Sequence, residues 1–77
     1  MKNEKLKLNF ENPDEIKQFI HENDSGIYSG INADGNDVIV LLEKGKGLKT
    51  QLLQTNGWCL VHEYDQNGFC EYEGYEK

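Results

Sequence analysis

Polar and apolar residues alternate from Lys5 to Phe10, the period of a half-buried strand with Leu6, Leu8 and Phe10 toward the core. Lys5 and Lys7 on its other face suit a solvent-facing or edge strand. The period then changes. Asn12 can cap a helix, Pro13 at the first helical position gives up only an orphan donor, and Glu15 can close a capping box. Ile16, Phe19 and Ile20 fall on one stripe, and Asn23, Asp24 and Gly26 stop the run. These signals predict a helix over about 13–23, too short to persist unless it packs on a sheet.

Ile27 to Ile31 reads as a short strand, and Asn32-Ala33-Asp34-Gly35 as a turn. Val38-Ile39-Val40-Leu41-Leu42 is the most apolar run and does not alternate, which predicts a central strand buried on both faces. Lys44 to Gly47 is a loop. From Leu48 to Tyr75, three strands are joined by turns at Thr55-Asn56-Gly57 and Asp65-Gln66-Asn67-Gly68.

Two frames compete at these last turns. A two-residue loop pairs Thr55 with Trp58 and Gln66 with Phe69. A type I turn followed by a left-handed Gly pairs Gln54 with Trp58 and Asp65 with Phe69, and Asp first with Gly fourth favours it. Slipping by one residue moves a whole strand's side chains to the other face, so the pattern can decide. The second frame puts Leu48, Thr50, Leu52, Trp58, Leu60, His62, Tyr64, Cys70 and Tyr72 on one face. The other collects Lys49, Gln51, Leu53, Cys59, Val61, Glu63, Glu71 and Glu73, with Lys49 opposite Glu63. This separates oil from charge better than the two-residue frame. The expected fold is therefore α+β, a single domain over 1–77. It holds an antiparallel meander of about five strands plus the N-terminal strand, with the helix packed on the Trp58 face.

Composition sets the bounds on function. A 77-residue chain with 36% apolar residues and eight glycines is within the globular range for one domain. No apolar run approaches the roughly 20 residues of a membrane span. Met1-Lys2-Asn3-Glu4 leads into no apolar signal region, so a cytoplasmic protein is expected. Net charge is −6, with no arginine. Residues 1–55 hold seven Lys against nine Asp/Glu, and residues 56–77 hold one against five. That balance argues against direct nucleic-acid binding, which needs cationic groups for phosphate and base contacts.

The candidate chemistry is thin. Cys59 falls near Tyr75 and Cys70 near Tyr64, on opposite faces, so two free thiols are expected rather than a disulfide. Cys59 and His62 point apart, and zinc-type spacing is missing, so no metal or other cofactor is expected. His62 reads as a half-buried sheet residue between Thr50 and Tyr72. Cys70 and His62 share a face, but no orienting group or oxyanion loop accompanies them, so no enzyme is expected. Lys44 to Thr50 lacks the glycine spacing of a phosphate loop.

The acidic set Glu63, Asp65, Glu71, Glu73 and Glu76 remains, with Glu63, Glu71 and Glu73 expected on one face. Such charge can serve solubility alone. It can also steer the chain to a basic protein partner, with Phe69, Tyr72 and Tyr75 as aromatic anchors. The expected partner-binding set is Glu63, Asp65, Glu71, Tyr72, Glu73, Tyr75 and Glu76. In size, negative charge and lack of a catalytic set, the whole chain resembles phage-encoded inhibitors of bacterial defence nucleases, including anti-CRISPR proteins that mimic DNA. That resemblance implies occupation of a basic, nucleic-acid-binding groove in the host cytoplasm. It rests on no motif, and no family residue carries over. Immunity proteins that neutralise nuclease toxins share the same physics. An assembly module that dimerises through a sheet edge, Lys5 to Leu8 or 69–75, is the rival of a different class.

Overall fold

The computed structural model describes residues 6–54 and 56–77. The elements are β1 (Leu6–Lys7), α1 (Pro13–Glu22), β2 (Gly26–Ile31), β3 (Asp37–Glu43), β4 (Gly47–Leu53), β5 (Cys59–Tyr64) and β6 (Cys70–Glu76). They form one six-stranded sheet in sequential order, β1 to β6. β1 runs parallel to β2, with Leu6 opposite Gly30, and every later pairing is antiparallel. A parallel pair needs a crossover, and α1 supplies it across one face. The α+β meander with an N-terminal strand and one covering helix is as the sequence predicts.

The helix start departs from the expected capping box. The Asn12 side chain accepts from Asp14 N at 3.0 Å, as a cap should. Glu15 instead takes Asn9 N (3.4 Å) and Asn12 Nδ2 (3.3 Å), while Asn12 N bonds to Asn9 O. At the other end Asn23 Nδ2 donates to Phe19 O at 2.9 Å.

Three turns share one construction. Asn32 N bonds to Asn36 O, Gln54 N to Trp58 O and Asp65 N to Phe69 O. The fourth residues Gly35, Gly57 and Gly68 have φ of 85°, 86° and 89°. This is the type I turn with a left-handed glycine, and it sets the β4–β5 register as predicted: Leu48 opposite Tyr64, Thr50 opposite His62 and Leu52 opposite Leu60. Thr55, in the second of these turns, lies outside the described residues, as does Lys5 at the start of the predicted first strand.

The core lies between α1 and the face of even-numbered residues on β3 and β4. Ile16, Phe19 and Ile20 of the helix meet Val38, Val40, Leu42, Leu48 and Tyr64, with Leu8 at the margin and Leu6 and Phe10 packed against it. Trp58, expected under the helix, stands outside this core and is 38% exposed, with Lys77 Nζ 5.5 Å from its ring centroid. β3 is an interior strand but is not buried on both faces. Val38, Val40 and Leu42 are buried, whereas Ile39 is 48% exposed, because the only helix among the described residues covers one side of the sheet.

Candidate functional site: the β6 edge and the groove beside it

β6 is the last strand of the sheet, and its outer side has no strand partner among the described residues. Its pairing with β5 begins as predicted, with Tyr64 opposite Cys70, and then slips. Glu63 faces Tyr72, His62 faces Glu73, Val61 faces Gly74, Leu60 faces Tyr75 and Cys59 faces Glu76. Glu71 is the extra residue of a bulge, and beyond it every side chain of β6 stands on the face opposite to the one expected.

Several expectations are corrected by that single residue. Glu63, Glu71 and Glu73 do not share a face. Glu63 and Glu71 line a hollow of about 480 Å³ on the uncovered side, with Ile27, Leu41 and Lys49. Glu73 stands on the helix side, its Oε2 3.4 Å from His62 Nε2. Tyr72 leaves the helix side for the uncovered side, and Tyr75 takes the place beside Leu60. His62 therefore lies between Thr50 and Glu73, not Tyr72, and Cys59 adjoins Glu76 rather than Tyr75. Cys59 and Cys70 are both free thiols.

The bulge has a packing cause. Without it, fully buried Val61 would sit beside Glu73. With it, Val61 sits beside Gly74, and a Cβ at Gly74 would run into Tyr72 Oη. The tyrosine ring therefore lies over the glycine, next to the valine. Lys49 on β4 stands opposite Glu63, as expected, but its Nζ reaches Glu76 Oε1 on β6 at 3.8 Å. That pair spans β5 at the level of Val61 and shields it on a face that no helix among the described residues covers.

The remaining predicted residues take separate roles. The Asp65 carboxylate is committed to its own turn, where Oδ1 accepts from Asn67 N (2.9 Å) and Phe69 N (3.0 Å). Glu71, Tyr72, Glu73, Tyr75 and Glu76 are exposed along the free edge, and Phe69 is 58% exposed at its start. The acidic surface is thus an edge with carboxylates on both sides, not a face.

Beside Glu73, on the helix side, opens a groove of about 440 Å³. Phe10, Tyr64 and His62 form part of its wall as three near-parallel rings. Centroids are 6.3 Å apart for Phe10–Tyr64 and 6.1 Å for His62–Tyr64. Burial pushes the Tyr64 hydroxyl up to about 12, helped by the negative charges of Cys70, Glu73 and Glu11 and opposed by a hydrogen bond with Thr50. Glu11 and Asp34 also line this groove. Sequence reasoning missed it. The groove exists because β1 pairs with β2, which brings Phe10 and Glu11 alongside the 32–36 turn, and no local pattern specifies that pairing.

Among the described residues, no three His, Cys, Asp or Glu side chains are grouped as metal ligands would be. No helix among them is long and apolar enough to cross a membrane. No family model matches the chain, and no curated protein or solved structure is significantly similar to it.

Proposed function

We propose that this chain is a small non-catalytic binding protein that inhibits a basic protein partner by occupying its nucleic-acid-binding groove, as a nuclease inhibitor would. One observation carries the reading: the free β6 edge sets Glu71 and Glu76 on one side and Glu73 on the other, with Tyr72 and Tyr75 exposed among them and Phe69 at its start. Carboxylates astride an edge suit insertion between two basic walls, and the aromatics supply contact area once seated. Inhibition of a defence nuclease and neutralisation of a nuclease toxin are the same act on this surface.

The rival, dimerisation by pairing β6 with a second β6, is opposed by the same residues. Each copy would bring three carboxylates to the seam, and an edge strand carrying charge and a bulge is protected against self-pairing.

The reading is tested with Glu71→Lys and Glu73→Lys combined. Both side chains are exposed, so the variant should fold with an unchanged circular dichroism spectrum. Wild-type protein should capture from a cell lysate a basic protein that binds DNA or RNA, and should displace that nucleic acid. The folded double variant should do neither. Undiminished capture and displacement by the variant would discard the acidic edge.

A further inference from the structure

We infer that the groove beside β6 receives the guanidinium group of an arginine side chain. The inference deepens the reading above, since it rests on a basic partner and names the group that partner inserts. The groove is more than a cluster of acids. Tyr64, in the middle of the ring ladder, is buried, so the open ring surfaces belong to Phe10 and His62, both half-exposed. Thr50 and Leu60 complete the floor, and His62 Nε2 within it lies 3.4 Å from Glu73 Oε2.

Three carboxylates surround this floor from three separate parts of the chain: Glu11 before α1, Asp34 in the β2–β3 turn and Glu73 on β6. No lysine lines the groove among the described residues. The Glu11 and Asp34 side chains have no hydrogen-bond partner among the described residues, since both residues bond there through backbone N–H groups. They are thus available to an incoming donor.

A planar, delocalised and weakly hydrated cation meets all of these features at once. It stacks on ring faces while its edge donates to carboxylates, often two bonds to one group. An ammonium group is a compact, strongly hydrated charge, and it would give up more hydration for a floor of rings. A neutral apolar group would leave the Glu11 and Asp34 carboxylates facing it without compensation, Glu73 being already paired with His62.

The test is an NMR titration of the full chain with the peptide Gly-Arg-Gly, alongside its lysine counterpart and the counterpart holding citrulline, a neutral isostere of arginine. The arginine peptide should give saturable shifts at Phe10, Thr50, Leu60 and His62. The citrulline peptide should give none, and the lysine peptide should bind at least about threefold more weakly. Glu11→Gln with Asp34→Asn should weaken arginine binding by a similar factor and leave the fold intact. The inference is overturned by shifts that do not saturate, by equal binding of the citrulline or lysine peptide, or by unchanged binding in the double variant. Glu73 belongs to both the β6 edge and the groove, so the charge-reversal variant perturbs both; Glu11→Gln with Asp34→Asn leaves the β6 edge intact and reports on the groove alone. Lost partner capture in that test with no arginine binding here would leave the edge standing and remove only the groove.

Discussion

Gly35 and Gly68 occupy the same place in two copies of one turn, with φ of 85° and 89°, yet their surroundings differ. A Cβ on Gly35 would meet nothing within 4 Å, whereas one on Gly68 would run into the carbonyl of Pro13 at the start of α1. Gly35→Ala should therefore cost only the left-handed backbone penalty, about 1–2 kcal/mol. Gly68→Ala should cost clearly more, because the helix start must move as well. Urea midpoints at equal slope check the difference, and equal losses would mean the 65–69 turn does not press on the helix. Tyr64 carries a second residue-scale expectation. Its hydroxyl is raised from 10.0 to about 12 in the fold. The unfolded chain then gives up this proton first, so stability is at its full value below pH 10 and falls as pH rises to 12, because burial penalises the phenolate in the fold. By linkage this amounts to about 2–3 kcal/mol. Tyr64→Phe removes the ionisable group and should flatten the stability curve between pH 10 and 12. A curve as steep as that of the wild type would place the titration elsewhere.

At the scale of elements, the bulge in β6 decides which carboxylate faces which neighbour. Glu71 is the residue in excess of the ladder, so its removal should leave Tyr72 opposite Glu63 and Glu73 opposite His62. Deleting Glu71 should thus keep the fold within about 1 kcal/mol of wild type, since no ladder pair or buried side chain is lost. Deleting Gly74 should be far more damaging, because it takes away the space that Tyr72 fills beside Val61. Cross-strand proton contacts between Leu60 and Tyr75 should survive in the first variant. Their loss would show that the bulge holds the register rather than merely interrupting it. The bulge was not legible in the sequence. Glu71 has no special conformation, and strict alternation sorts the residues well until Val61 must choose between Glu73 and Gly74 as its neighbour.

At the scale of the molecule, one helix and one sheet make a slab of 35 × 34 × 20 Å. No helix among the described residues covers the second sheet face, and Ile27, Ile39 and Leu53 are exposed there. Charge is unevenly spread over this slab, with the last two strands and their turn holding most of the acid excess. If the β6 edge docks electrostatically, raising salt from 0.1 M to 1 M should release the partner steeply, as the screening length falls from about 10 to about 3 Å. Release insensitive to salt would favour apolar pairing of a strand edge instead. Asp65, though part of the acidic set, should matter little to this docking, because its carboxylate is already satisfied within its turn.

Local sequence determined the helix, the turns and the pairing of β4 with β5. Asn, Asp and Gly fix turn geometry through bonds only a few residues long, and the turn fixes the offset of the strands it joins. Only the tertiary structure decided that β1 lies beside β2, that the described helix covers only one sheet face, and that β6 slips by one residue to bury Val61 beneath a tyrosine. These depend on contacts between residues far apart in the chain, where no local preference chooses and the balance of buried volume does. The acids near the C-terminus could be read from composition, but their arrangement along an edge, and the aromatic groove beside them, could not.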